Sequence, residues 1–413
     1  MPYKKNLFII LSGSFIIMVG FGITLPVLPN LIQRLSISEG VSRQYISFHI
    51  GMLTGLYALM QFLFSPIFGI LSDKKGRKPL IIIGLAGYSL SLLFFPVTTS
   101  LWLFYVLRII GGIFSAAFLT GAIAYIADIS PIDKRGRAMA LYGSSIGFGL
   151  VAGPLIGIIF PQINFHKFFD FFHLTLDSYT IPFVIAALFS ITVLIALLLF
   201  LKEHVKVPEI KLNSSYKDFK DYFKNNRWSL KETFVILLLS FISQFSLAMF
   251  EGTFAIHSQK IYQFDIMQIS LIFIVCGGVM GLLQLGPVYW LIEKKGENYL
   301  LPFGLIFMGI GMALLMSTQR LELLLIYVSL ISIGMALLTP GLASLISKNS
   351  VSNHGIALGI FSSINSLAQA TGVLFGSIAL AWSVHLPYWL SSFVLIVSAV
   401  FVLFKQRTSI ILK

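Results

Sequence analysis

Charge is scarce in this chain: Asp, Glu, Lys and Arg make up 11% of 413 residues, while 57% are hydrophobic. A soluble domain needs about a quarter charged residues to cover its surface, so the outside must face something other than water. Cysteine is nearly absent. Cys276 stands alone in an apolar run, which excludes an intramolecular disulfide within this sequence and suits simple packing. The seven histidines (49, 166, 173, 204, 257, 354 and 385) form no HExxH or other ligand-spaced cluster, and no GxxxxGK phosphate loop occurs. These absences argue against a membrane metalloenzyme and against an ATP-driven pump in one chain. A receptor would need a soluble output domain, and no stretch supplies one. Strand-like alternation over about ten residues is missing as well, which excludes an outer-membrane barrel.

Long apolar runs fill the space that charge vacates. A helix needs about 18 or more apolar residues to cross hydrocarbon, and twelve such spans can be drawn, at 7–33, 46–72, 79–98, 101–127, 137–160, 179–201, 231–257, 266–292, 299–317, 321–347, 354–382 and 386–404. The expected fold is an all-α membrane protein. The first run follows lysines as a secretory signal does, but it continues through Gly20, Gly22, Pro26 and Pro29 without a small-residue cleavage site, and reads as a retained span. The net charge of +13 would suggest nucleic acid in a soluble protein; here its placement matters more. With the N-terminus inside, inner segments hold Lys4, Lys5, Lys74, Lys75, Arg77, Lys78, Lys134, Arg135 and Arg137, and most later basic residues to Lys413. The other side keeps only Arg34, Arg43, Lys167, Lys260 and Arg320. That asymmetry is the positive-inside rule and puts both termini in the cytoplasm. The basic stretch 202–230 reads as a cytoplasmic linker between a first six-helix bundle (1–201) and a second (231–413). The phenylalanine-rich Pro161–Tyr179 reads as an interfacial flap outside, with a substrate lid as the alternative.

The halves repeat. Asp73-Lys74-Lys75-Gly76 follows span 2 and Glu293-Lys294-Lys295-Gly296 follows span 8, an offset of 293 − 73 = 220; Gly136 before span 5 and Gly355 before span 11 differ by 355 − 136 = 219. Two landmarks in equivalent loops give nearly one offset. A duplicated six-span unit is expected to bind its substrate where the halves meet and to rock about that site.

The richest string is Gly69 to Pro79, joining spans 2 and 3. Gly69 allows another helix close, Gly76 permits a tight reversal, and Pro79 suits a first helical turn. Asp73 is harder to explain among four basic neighbours. Its carboxylate can sit against the positive N-terminal end of a neighbouring helix, for about 0.3–1 kcal/mol or more; an ordinary charged hairpin is the plainer reading. In span 5, Gly149 and Gly153 lie one turn apart and Pro154 frees a backbone carbonyl, so a close helix contact with a bend is expected there.

These strings carry a resemblance. Gly69–Pro79, preceded by Tyr57-Ala58-Leu59-Met60-Gln61, resembles the loop 2–3 signature of the major facilitator superfamily, and specifically its twelve-span drug:proton antiporters, among them the tetracycline exporters. Leu107-Arg108-Ile109-Ile110-Gly111-Gly112 is similar to the span 4 motif, and Gly149 through Gly153, Pro154 and Gly157 to the antiporter motif of span 5. The resemblance covers most of the chain and is densest from Leu25 to Gly157. It implies two pseudo-symmetric bundles with a central cavity lined by helices 1, 4, 7 and 10. It also implies a cytoplasmic gate in which Asp73 docks near Asn353–Gly355 and Arg77 engages Asp128, with Gly69 and Gly76 shaping the contact. Proton-driven export of small amphipathic or cationic compounds, action as a monomer, no cofactor or metal, and a bacterial plasma (inner) membrane follow as expectations. Tetracycline exporters carry an acid nine residues before the proline matching Pro26; Ile17 stands there, and no acid occurs in span 1.

Two charges remain at membrane depth, Arg108 in span 4 and Glu251 in span 7. Each costs about 2.5–3.5 kcal/mol near the centre of a bilayer, so it should face a partner or a wet cavity. Desolvation disfavours the charged carboxylate, so a carboxyl in the cavity can load and unload protons while a cationic substrate competes for it. Glu251, with Arg108 and with help from Asp128, is the candidate for proton coupling. A static Arg108–Glu251 pair and an external-mouth residue are the alternatives. Pocket candidates are Phe21, Tyr57, Gln61, Phe250 and Phe254, with Asn365 and Gln369 one turn apart in span 11 as substrate ligands or interhelical bonds. The same fold working on an endogenous metabolite, a siderophore or a nutrient, in either direction, is the competing reading.

Overall fold

The computed structural model describes residues 2–40, 46–98, 100–162, 180–203, 230–349 and 354–407. Most of the expected flap and nearly all of the expected 202–230 linker lie outside the described residues, as does Asn353. Helices account for nearly everything described. The first half contains α1 (Pro2–Ser38), α2 (Ile46–Lys75), α3 (Arg77–Phe94), α4 (Leu101–Ile129), α5 (Arg135–Gln162) and α6 (Ile181–Phe200). The second contains α7 (Leu230–His257), α8 (Ile266–Leu285), α9 (Glu297–Leu314), α10 (Leu321–Asn349), α11 (His354–Trp382) and α12 (Leu386–Arg407). Among the described residues, twelve helices are long and apolar enough to cross a membrane.

Helix is the form that satisfies every backbone N–H and C=O within one segment, which hydrocarbon demands. The ends are set by ordinary local chemistry. Ser100 caps α4 by accepting the Leu103 N–H, and Asp265 with Gln268 forms a reciprocal capping box on α8. Gly76 and Gly296 take positive φ values of 94° and 79°, which lets the chain reverse between α2 and α3 and again into α9. The expected single span 266–292 is interrupted: α8 stops at Gly286, and Pro287 starts a short helix, Pro287–Lys295, at the first-turn position where its missing N–H costs nothing.

The halves are built alike. In the first, α1 packs on α5, α2 and α3 on α4, and α3 on α6; in the second, α7 packs on α11, α8 and α9 on α10, and α9 on α12. Each pairing maps to the other by a shift of six helices. The halves meet chiefly through α2 on α11 and α5 on α8, again symmetry mates. Outward-facing apolar side chains such as Phe8, Ile67, Leu199, Phe393 and Phe404 form a lipid-facing surface. Exposed Trp102, Trp382 and Trp389 lie near one end of the bundle and Trp290 near the other, as interfacial tryptophans do. The end bearing Lys74, Lys75, Lys134, Lys294 and Lys295 is called the basic end below.

Candidate functional site

At the basic end, one carboxylate ties the halves together. Asp73 closes α2, and its Oδ1 and Oδ2 accept the backbone N–H groups of Gly355 (3.0 Å) and Ile356 (2.7 Å) in the first turn of α11. These N–H groups lack intrahelical partners and carry the positive end of the helix dipole, so the anion is doubly matched. Asp73 also pairs with Arg77 at 2.6 Å, and Arg77 Nε donates to Asp128 at 2.7 Å, at the end of α4. Arg77 Nη1 donates to Ser72, and Arg77 is only 3% exposed. The guanidinium thus spends its rigid fork of donors on two carboxylates and a hydroxyl.

Close backbone approach makes this contact possible. A Cβ placed on Gly69 would lie 2.5 Å from the Gly355 carbonyl oxygen and 3.2 Å from Gly359 Cα. Gly69→Ala is therefore expected to push α2 off α11 and destabilise the protein by about 1–3 kcal/mol. Gly55→Ala, on the same helix but with nothing within 4 Å, is the control. Thermal unfolding in detergent checks the difference.

A second ionic cluster occupies the equivalent place in the other half, with its charges rearranged. The 220-residue offset carries Arg77 to Glu297 and Asp128 to Lys348. Glu297 pairs with Lys348, its Oε1 also accepts the Ser344 hydroxyl at 2.7 Å, and it is largely buried. Glu293, the offset mate of Asp73, is exposed instead. Arg135 adds a link between halves: it donates to the Ala127 carbonyl at 3.2 Å, closing α4, and to the Ser347 carbonyl at 2.9 Å, closing α10. Those two carbonyls are themselves 220 residues apart. Reading the motifs alone passes over Glu297, Lys348 and Arg135, although applying the offset residue by residue would have found the pair. Glu297→Lys and Lys348→Glu are each expected to lower the unfolding temperature, and the double exchange to recover most of it. A double-mutant cycle should give a coupling of about 0.5–3 kcal/mol; no recovery would mean the pair is not an energetic unit.

The antiporter-motif glycines face α1 within the first half. A Cβ on Gly149 would sit 2.5 Å from the Phe15 carbonyl oxygen, and one on Gly153 would sit 2.6 Å from Gly22 Cα. Pro154 and Gly157 are buried farther along α5. This is a helix-on-helix seam, and it holds α5, which bears on α8 in the other half, against α1.

The ionisable residues at membrane depth are kept apart. Arg108 is buried in the first half between the rings of Tyr57 and Phe95, 5.6 and 5.9 Å from their centroids. Glu251 is partly buried on α7, and among the described residues it forms neither an ion pair nor a hydrogen bond. Among the described residues no ion pair joins Arg108 and Glu251. Asp128 belongs to the basic-end cluster and not to either of them. The aromatic candidates divide likewise: Phe21 and Tyr57 approach to 5.7 Å in the first half, while Phe250 and Phe254 lie tilted to each other at 5.0 Å and are fully buried in the second. Gln61 donates to Ser115 and lies 3.4 Å from the Ser366 hydroxyl of α11, so it touches both halves. Asn365 accepts the Ser240 hydroxyl from α7, an interhelical bond, and Gln369 is partly buried one turn on. Among the described residues no group of three His, Cys, Asp or Glu is placed to hold a metal.

Comparison with known proteins agrees with this architecture. A family model described as the Major Facilitator Superfamily matches residues 10–289 and 236–409. Multidrug resistance protein 2 of Bacillus subtilis is 28% identical over 398 residues, covering 95% of this chain and 94% of its own. Tetracycline resistance protein, class C, of Escherichia coli is 28% identical over 381 residues, covering 91% and 89%. The crystal structure of the human organic anion transporter MFSD10 superposes with a TM-score of 0.81 over 97% of this chain and all of that one; at 21% identity it speaks to the fold. The chain belongs to the Major Facilitator Superfamily and is a multi-pass membrane transporter.

Proposed function

We propose that the protein is a proton-coupled antiporter of a bacterial plasma membrane that exports small amphipathic or cationic compounds by alternating access. One observation carries the reading. The halves are locked at the basic end by Asp73 on the first turn of α11, while a carboxyl, Glu251, stands at membrane depth without an ionic partner among the described residues. The lysines of the basic end make it the cytoplasmic side. The relatives named for multidrug and tetracycline resistance support the substrate class and the outward direction.

In this mechanism the Asp73–Arg77–Asp128 cluster holds the cytoplasmic side shut while the cavity faces out. Glu251 binds either a proton or a cation. A proton entering from outside displaces the exported cation, and the neutral carboxyl then removes one charge that would oppose the return. Rocking breaks the contacts of α2 on α11 and α5 on α8, and the proton leaves inside. The cytoplasmic cluster can re-form without any covalent step, because it is made of hydrogen bonds and ion pairs each worth about 1–3 kcal/mol.

Proteoliposomes with an imposed pH gradient and a cationic dye test the reading. Dye movement that follows the gradient and collapses with a protonophore is expected. Movement indifferent to the gradient would exclude proton coupling.

A further inference from the structure

Arg108 has no described ionic partner and no hydrogen bond, though it is 3% exposed. Its Nε and Nη2 are buried without an acceptor, and so is the hydroxyl of Tyr57 beside it. Arg108 and Tyr57 both line a narrow cleft between α1, α2, α3 and α4, whose other walls include Thr24, Tyr88 and Ser91. The Tyr88 hydroxyl is already engaged with the Ile17 carbonyl at 2.9 Å and the Ser91 hydroxyl with the Tyr88 carbonyl at 2.7 Å, so neither neutralises the guanidinium.

An unpaired guanidinium in a buried site is costly. The two aromatic faces repay part of that through cation–π attraction, but a ring face offers no lone pairs. Nε and Nη2 lie along one edge of the guanidinium, and that edge is the geometry a carboxylate matches with two parallel hydrogen bonds. The Tyr57 hydroxyl supplies a third donor on the same cleft. Three donors, one positive charge and no anion from the described chain define a site for an incoming anion.

We propose that the cleft at Arg108 and Tyr57 is an anion subsite that receives the carboxylate head of a transported organic compound. The cleft is water-sized as it stands, so a carboxylate entering it would have to widen it, and the rest of the compound would extend beyond it. The inference rests on the transport reading and adds to its substrate chemistry: among amphipathic and zwitterionic compounds, those carrying a carboxylate are favoured over their esters or amides. It concerns Arg108 in the first half, so it stands apart from proton coupling at Glu251 in the second.

Binding without any gradient separates the two ideas. The unfolding temperature of the purified full-length protein in detergent is measured with benzoate, with its neutral isostere benzamide, and with chloride, at matched concentrations. Benzoate is expected to raise it by ~2 °C or more and benzamide to leave it unchanged. Arg108→Gln should lose the benzoate shift, Arg108→Lys should keep part of it, and Tyr57→Phe should reduce it. Glu251→Gln should retain it even where transport is lost. A shift with chloride as large as with benzoate would overturn the organic carboxylate in favour of an inorganic anion. Equal responses to benzoate and benzamide, no response to either, or an Arg108→Gln protein that responds like wild type would overturn the subsite.

Discussion

Exchanging Glu251 for glutamine is expected to abolish gradient-driven transport while leaving the fold intact. The substitution keeps the shape of the side chain and removes only its charge and its proton. Because Glu251 makes no ion pair or hydrogen bond among the described residues, no bridge is broken and no buried cation is stranded. The unfolding temperature should therefore hold or rise, since a neutral amide is easier to keep at membrane depth than a carboxylate. Dye flux in proteoliposomes under a pH gradient is the measurement. Flux that survives would move coupling away from Glu251, with Asp128 the next carboxylate to examine. A collapse of folding instead of flux would mean that Glu251 is structural.

Asp73→Asn is expected to shift the balance between the inward-open and outward-open forms by a factor of about 10–100. The carboxylate accepts two N–H groups from α11 and pairs with Arg77, and hydrogen bonds to charged groups are worth about 1.5–3 kcal/mol. Asparagine keeps one acceptor oxygen and loses the charge, so both the dipole match and the pairing with Arg77 weaken. Arg77 would keep Asp128, which makes the loss local to the contact between halves. Spin labels on the ends of α2 and α11 can read the separation directly. The chain has a single native cysteine, buried Cys276, so labelling needs only that residue replaced. An unchanged distance distribution together with unchanged transport would rule out a gating role for Asp73.

The spans were legible because the bilayer reduces folding to one variable, the depth of apolar side chains, and the twelve runs report it directly. Their ends were less so. Helix α1 continues to Ser38 where hydropathy alone stops at residue 33, because a helix can run past the hydrocarbon once its backbone is satisfied. The break at Gly286 was missed since Gly-Pro within an apolar run reads equally as a kink or as a pause. At the site, depth could say that Arg108 and Glu251 lie within the membrane, but not which way around its helix each one faces. Azimuth depends on packing in the other half of the chain, which no local pattern records. The second ionic cluster was hidden for a different reason. Its residues, Glu297 and Lys348, occupy the positions of Arg77 and Asp128 with the signs reversed, so a search for the first motif passes over them.

That reversal bears on how the two halves know each other. Gly355, at the start of α11, lies against Arg77 and Asp73; Gly136, at the start of α5, lies near Glu297, and Arg135 precedes it. If the first half docked on a second copy of itself, Arg77 would take the place of Glu297 near Gly136, and a second guanidinium would join Arg135 at one helix start. Like charges in such a place discriminate against the wrong partner, beside whatever good contacts favour the right one. A duplicated ancestor with identical halves could pair either way round. With the signs reversed, the first half is matched to the second and not to its own kind, so the pairing of the two halves is a matter of mutual recognition as well as of linkage.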